Sequence, residues 1–437
     1  MKKFYTETHR KWLFKKEDHI RFDVDGLDAM LENNENKELL ATLRHVDITY
    51  GSGSKAFKAV KDLNLNIYKG EVLGLVGESG SGKSTIGKAV VGLIPHSFGE
   101  IKLLDKTLPK KMTRGFKVGK ALKEYKEIEK FMVNKVQMIF QDPANSLNPH
   151  VNVEEVVSEG LNNTKNSKII YQNAVDSETL AVVFEKINNT KKYDKELLAK
   201  LNKDIKLPPE EAFQILYEDF AKQLLADNEQ EALEALKTRK NERLEADKKT
   251  EKEAKKILVK EILKSVGLDE SVLRRYPLEF SGGQQQRIGI SRSVVLRPTL
   301  LVADEPISAL DVSIQAQVVN IFNDLKEKYD LTILFIAHDL RMVEYISDRI
   351  VVMNKGVLLE IGKTEEIMNN SKHPYTRSLL EAVPSIDSKQ GSLIGYVYDS
   401  NMHDYSETNQ PEWIKVNDNH FVLATKEEFQ RWNKGEK

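Results

Sequence analysis

Cysteine is absent from the 437 residues. That excludes disulfides, thiolate zinc sites, protein-ligated iron–sulfur clusters and a cysteine nucleophile together. Long apolar runs are missing too: none reaches the roughly 18–20 residues of a membrane helix. The longest, Leu331–Ala337 and the stretch around Ile350–Met353, have the length of buried strands. Neither sign of charge is in excess, with 66 Lys and Arg against 67 Asp and Glu. There is thus no global drive toward nucleic acid or an acidic partner. Met1, Lys2 and Lys3 have no apolar core behind them, so the start does not read as a secretory signal and a soluble, cytosolic chain is expected. What is present, 40% apolar and 30% charged residues, allows two or three domains with a sizeable core.

Residues 1–40 are charged and poorly periodic. Phe4, Trp12, Leu13 and Phe14 interleave with Lys2, Lys3, Arg10, Lys11, Lys15 and Lys16, a mix that suits a solvated or partner-docked extension, or an anionic membrane surface. β-like segments follow at Leu43–Tyr50 and Lys61–Ile67, then a compact strand, Val72–Val76. Val136–Phe140, Leu300–Ala303 and Leu331–Ala337 are short apolar runs that stop at a polar residue, the pattern of a parallel sheet covered on both faces. Arg349–Met353 and Val357–Ile361 flank Asn354-Lys355-Gly356 as a hairpin.

Residues 162–256 are rich in Lys, Glu and Asn and contain no glycine. Pro208-Pro209 before Glu210 and Glu211 reads as a helix start, with Phe213, Leu216, Phe220 and Leu224 on one face. After Asn228 the sequence is nearly all charged or alanine, and a solvated or frayed helix is expected there. The reading is therefore a cassette in two parts, 41–161 and 257–365, split by a charged helical insertion at 162–256 and followed by a tail at 366–437.

Gly77-Glu78-Ser79-Gly80-Ser81-Gly82-Lys83-Ser84 fits GxxxxGK[ST] between a strand and a helix. Glycines let successive N–H groups curl inward around phosphate oxygens, and the helix N-terminus adds partial positive charge. Lys83 supplies a point charge for the β- and γ-phosphates and Ser84 a hydroxyl for Mg²⁺. The motif implies nucleotide binding but leaves kinase, GTPase, motor and transporter ATPase open. Leu300–Ala303 ends in Asp304-Glu305. Asp304 suits Mg²⁺ through its water shell, and Glu305 suits a general base on water; a helix-capping acid pair is the plain alternative.

Ser281-Gly282-Gly283-Gln284-Gln285, together with the phosphate loop, resembles the ATP-binding cassette (ABC) family, with Phe280 where leucine is common. The resemblance implies an α/β P-loop NTPase fold with a parallel-sheet core, an antiparallel β subdomain and a helical subdomain. Gln141 matches the Q-loop, Ser308-Ala309-Leu310-Asp311 the D-loop, and His338 the switch histidine. Singly, Gln141 would pass as a strand-end amide and His338 as a structural histidine; their order is what carries the likeness. By that likeness ATP is held by Gly77 through Ser84 and Thr85, by Gln141, and by Tyr50 as the adenine platform with Phe57 as fallback. Ser281, Gly282 and Gly283 would face the ATP of the opposite subunit, and Gln284 and Asp311 are counted with them as nucleotide-binding. Lys83, Gln141, Glu305 and His338 would be catalytic, and Ser84, Gln141 and Asp304 would hold Mg²⁺.

The flanking sequence is similar to the oligopeptide/dipeptide importer branch, and to its F-type ATPase in particular. The residues are Gln137–Pro143 with Ser146–Pro149, Arg275-Tyr276-Pro277, Ser313–Val318 and His373-Pro374-Tyr375-Thr376-Arg377. The likeness implies ATP hydrolysis in a head-to-tail dimer with a sibling D-type ATPase, two integral membrane permease subunits, and indirectly an extracellular binding protein. It places the chain peripherally at the cytoplasmic face of the membrane. Dipeptide or nickel import is the nearest alternative, and a non-transport ABC ATPase acting on nucleic acid a more distant one. Many relatives carry cysteines in the tail, some binding an iron–sulfur cluster; residues 387–437 have none, so that cluster is not carried over. Trp413, Phe421 and Trp432 would pack a small terminal domain, and His373 is read as structural. The insertion is either a surface expansion or a modulator of docking.

Overall fold

The computed structural model describes residues 3–12, 15–32, 37–112, 115, 117–187, 195–204, 206–308, 310–381, 398–403, 405–406 and 408–434. Leu13 and Phe14 of the N-terminal run and Ala309 of the D-loop lie outside the described residues. The chain forms two units, residues 1–146 with 298–437, and residues 147–297.

Among the described residues the first unit holds fourteen strands: β1 Phe4–Trp12, β2 Lys15–Phe22, β3 Leu39–Tyr50, β4 Phe57–Tyr68, β5 Val72–Val76, β6 Phe98–Leu103, β7 Lys106–Thr107, β8 Val136–Ile139, β9 Leu300–Asp304, β10 Thr332–Ala337, β11 Arg349–Asn354, β12 Val357–Lys363, β13 Glu412–Asn417 and β14 His420–Ala424. Eight of them form one sheet in the order β13-β14-β12-β11-β5-β10-β9-β8. Its β11-β5-β10-β9-β8 stretch is parallel throughout. Every residue of β5, β9, β10 and β11 is buried, which is why these strands read as unbroken apolar runs rather than as alternations. A second sheet, β4-β3-β6-β7, is antiparallel and shares a core with the first through Leu43, Val60, Leu65, Leu75, Ile86 and Ile336.

The N-terminal region is more ordered than its composition suggests. β1 and β2 form an antiparallel hairpin, Phe4 opposite Phe22 and Tyr5 opposite Arg21. Arg21 grips the Asp47 carboxylate with both terminal nitrogens, at 3.1 and 2.7 Å, and Lys58 bonds the same carboxylate at 2.7 Å. His45 bridges Asp62 and Asp23 at 2.8 and 2.9 Å. Burial alone would lower the His45 pKa, but the two carboxylates outweigh it and the net direction is upward. Charges that read as surface in the sequence are thus the hairpin's anchors.

The tail also departs from the expected small terminal domain. β14 pairs with β12 and carries the main sheet outward, while Trp413 and Phe421 join the main core. Trp432 packs on Val422 and Ala424.

The second unit is helical. Within it, Ser167–Glu185, Lys195–Asp204, Pro209–Ala226 and Gln230–Lys248 gather around Leu180, Val183, Leu216, Phe220, Leu224, Leu233 and Leu236. The Phe213–Leu224 run is helical as expected, with Gln214–Asp219 wound as a π-helix. The stretch after Asn228 is not a frayed helix: Gln230–Lys248 buries Ala232, Leu233, Leu236, Arg243 and Ala246. Small alanines allow close approach, and the Arg243 charge is matched inside. Its Nε lies 2.9 Å from Asp176 Oδ1, both side chains are almost fully buried, and Tyr217 donates to the same oxygen at 2.9 Å.

Removing one partner of a buried pair strands the other charge, at a cost of about 3–5 kcal/mol. Arg243→Met should therefore lower the unfolding temperature sharply, while the Asp176→Asn/Arg243→Met double variant recovers much of the loss. Thermal unfolding followed by circular dichroism measures both; equal losses in the single and double variants would contradict the pairing.

Candidate functional site

The carboxyl ends of the parallel strands deliver the chemistry-bearing residues, because each apolar run breaks at a polar residue as it leaves the sheet. β5 runs into the glycine-rich loop and helix Lys83–Val90. β9 ends at Asp304 with Glu305 next, β10 ends just before His338, and β8 ends two residues before Gln141. A crevice at that edge is where open parallel sheets bind ligands.

The loop's path depends on glycine at both ends. Gly82 holds φ +101°, and a Cβ there would stand 2.7 Å from the Ala59 carbonyl oxygen. Gly77 approaches Met353 so closely that a Cβ would stand 2.1 Å from its carbonyl oxygen. Lys83 turns back into the loop, donating to the Gly77 and Glu78 carbonyl oxygens at 2.6 and 2.8 Å. It is buried, and that burial lowers its pKa against the pull of Glu305, Asp304 and Glu78. The loop is braced from outside as well. The Glu78 N–H donates to the Tyr375 hydroxyl at 2.8 Å, and the Gly356 N–H donates to the Ser81 carbonyl at 3.0 Å.

Two polar clusters sit at the strand ends. In the first, the Ser84 hydroxyl donates to Asp304 Oδ1 at 2.7 Å. Burial raises the Asp304 pKa, opposed mainly by this hydrogen bond and by Lys88. In the second, Glu305 Oε2 accepts from Gln141 Nε2 at 3.0 Å and lies 3.5 Å from His338 Nδ1. Glu305 itself holds φ +45°, an uncommon conformation for a residue with a Cβ, fixed by its N–H bonding the Ile336 carbonyl at 3.0 Å. Such strain concentrates where a side chain must be aimed.

Tyr50 and Phe57 face each other across the end of the β3–β4 pair, both exposed. The Tyr50 hydroxyl reaches Thr85 Oγ1 at 3.3 Å, which ties that ring to the phosphate-loop helix. Asp311 is exposed and precedes helix Val312–Tyr329; Gln315 pins the loop before it by donating to the Ile307 and Leu310 carbonyls.

Ser281, Gly282, Gly283 and Gln284 belong to the second unit. Ser281 caps helix Gly282–Val294 in a reciprocal capping box with Gln284, leaving an exposed helix N-terminus suited to an anion. The first unit thus assembles Lys83, Ser84, Gln141, Asp304, Glu305 and His338, while the signature residues present a separate donor surface. Sequence reasoning passed over Tyr375 and Gly356 as supports of the loop. Tyr375 lies 297 positions from Glu78, and no local pattern announces such a contact.

Residues 60–308 match the ABC transporter family, and residues 359–408 the oligopeptide/dipeptide transporter C-terminal region. Oligopeptide transport ATP-binding protein AmiF of Streptococcus pneumoniae is 38% identical over 91% of this chain and 99% of its own length. Oligopeptide transport ATP-binding protein OppF of Bacillus subtilis is 36% identical over 91% and 99%. Dipeptide transport ATP-binding protein DppF of Lactococcus lactis is 38% identical over 90% and 96%.

The loop geometry separates two glycine substitutions. Gly80→Ala meets nothing within 4 Å and bears only the left-handed backbone term, about 1–2 kcal/mol. Gly82→Ala adds the collision with Ala59. The second should lose distinctly more stability and nucleotide affinity than the first, as read by thermal unfolding and fluorescent-nucleotide titration.

Proposed function

The chain belongs to the ABC transporter family, in its oligopeptide/dipeptide branch, and from that membership we propose that it is the F-type ATPase subunit of an oligopeptide importer. It binds and hydrolyses ATP. The observation that best supports the assignment of roles is the meeting of Gln141, Glu305 and His338 at one carboxylate oxygen beside the phosphate loop.

In this reading the loop N–H groups from Gly77 to Thr85 cradle the phosphates, and Lys83 exchanges its backbone carbonyls for the β- and γ-phosphate oxygens. That exchange suits a buried ammonium, which gains a full counter-charge in place of two dipoles. Tyr50 stacks on adenine, with its hydroxyl already held by Thr85. Glu305 takes the proton of the attacking water, Gln141 orients that water, and His338 stabilises charge on the γ-phosphate.

Ser84, Asp304 and the Gln141 amide oxygen are hard oxygen donors of the kind Mg²⁺ takes, and the 2.7 Å Ser84–Asp304 contact sets two of them side by side. When bound, Mg²⁺ would neutralise charge between the β- and γ-phosphates.

Among the described residues no helix is long and apolar enough to cross a membrane. A sibling D-type ATPase would complete each ATP site head-to-tail, with this chain's Ser281, Gly282, Gly283, Gln284 and Asp311 facing the sibling's nucleotide. Two permease subunits would dock this pair at the cytoplasmic face of the membrane, and an extracellular binding protein would deliver peptide. ATP closes the pair by satisfying donors on both sides, and hydrolysis removes the contacts that favour closure. Nucleic acid has no part in this reading. Dipeptide import is the second reading, favoured by the Lactococcus relative.

Glu305→Gln should bind ATP and lose hydrolysis by about 10²-fold or more, the scale of a lost general base. Phosphate release from the reconstituted complex measures it, and wild-type turnover in the variant would refute the role. In the same proteoliposomes, stimulation by peptides of four or five residues supports the oligopeptide reading. Stimulation by dipeptides alone supports the second.

A further inference from the structure

Tyr375 comes from the tail yet ends at the phosphate loop. Its ring is fully buried, and its hydroxyl accepts the Glu78 N–H at 2.8 Å. Asn354, at the end of β11, bonds the same hydroxyl. The Tyr375 pKa is pushed up to about 12, chiefly by burial, so the group is a neutral phenol at any physiological pH.

The backbone beneath the ring is held just as firmly. The Tyr375 N–H donates to His373 Nδ1 at 3.1 Å, and burial holds His373 well below its ordinary pKa, so the imidazole is neutral and able to accept. Buried Glu360 receives the Lys372 and His373 N–H groups at 2.6 and 3.2 Å, and pairs with His420 of β14 at 2.8 Å. Successive hydrogen bonds thus tie β14 through Glu360 to the Lys372–Tyr375 backbone, from which the Tyr375 ring reaches the loop. The β11–β12 hairpin meets the same loop at two further points, Met353 against Gly77 and Gly356 on Ser81.

Glu78 is the second residue of the phosphate loop, directly after Gly77. An N–H bond fixed there sets the direction from which the following donors, up to Lys83, point inward. Lys83 bonds the Gly77 and Glu78 carbonyls, so the Gly77–Glu78 peptide unit is held at both ends, its N–H by Tyr375 and its carbonyl by the ammonium that must reach phosphate. We propose that Tyr375 is a positioning residue of the ATP site, through which the tail holds the phosphate loop in its nucleotide-accepting shape. The proposal rests on the ATP site described above.

Tyr375→Phe keeps the ring and deletes the oxygen, leaving the Glu78 N–H without its acceptor. In the full-length chain assembled with its sibling ATPase and permeases, this variant should raise the KM for ATP and weaken fluorescent-ATP binding by about three- to tenfold, the scale of one hydrogen bond. Its kcat should stay within about twofold, because the groups at the reacting phosphate are untouched. Tyr398→Phe is the control: it breaks the 2.7 Å Tyr398–His403 bond in the same tail, keeps the ring that packs edge-on against Tyr375 at 5.2 Å, and should leave the KM unchanged. An unchanged KM in Tyr375→Phe overturns the proposal. So does an equal rise in Tyr398→Phe, or a fall in kcat and unfolding temperature at constant KM, since each would mean general tail packing. Wild-type nucleotide binding, measured alongside, separates failure of the ATP site itself from failure of the Tyr375 assignment.

Discussion

Parallel pairing of β8, β9, β10, β5 and β11 is the constraint on which the rest depends. In parallel strands every carboxyl end falls on the same edge, so four separate breaks in four apolar runs arrive at one place. Gly77, Gln141, Asp304–Glu305 and His338 are spread across more than half of the chain, yet they need no long loops to meet. The dry interior of the sheet also fixes their electrostatics. Asp304 and Lys83 are buried at the rim, and each is driven toward its neutral form by lost hydration. In the proposed function, a triphosphate with a divalent cation would supply the counter-charges that both groups lack.

The support around that edge is assembled from distant chain segments. The antiparallel sheet brings Tyr50 to Thr85, the β11–β12 hairpin brings Gly356 to Ser81, and the tail brings Tyr375 to Glu78. A phosphate loop needs little side-chain chemistry of its own, because its donors are backbone N–H groups. What it needs is a fixed course, and backbone can be fixed only by neighbours. The strained φ of Glu305 belongs to the same economy: its N–H is held by β10, and the side chain is thereby aimed at Gln141 and His338.

The residues of the proposed site are legible in the sequence because their signals are local. A strand that stops at a polar residue can be seen within six positions, and Asp304, Glu305 and His338 carry that signature, while Lys83 is marked by the spacing of the glycine-rich loop. Sequence reasoning reached less of the surrounding structure because charge was assigned to water. Arg21 and Asp47 anchor the N-terminal hairpin, and Arg243 and Asp176 stabilise the interior of the insertion, yet each looks like a solvated side chain when read alone. A hydrophobic pattern also cannot distinguish a helix packed through alanines and one buried ion pair from a frayed one. The tail was misjudged for a third reason: Trp413 and Phe421 announce a core, but not that the core is one already built.

That last point bears on how far the chain can be shortened. β12 has β14 on one side and β11 on the other, so the tail covers β12 backbone that would otherwise lie at the sheet's margin and moves the edge out to β13. An exposed margin of this kind templates pairing with other chains. Loss of β13 and β14 would also open the Glu360–His420 pair, which is sealed from solvent. A protein ending soon after residue 381 would therefore lose more than an appendage: it would acquire a self-adhesive flank, and quality control would meet it as an aggregation-prone species before it reached a membrane.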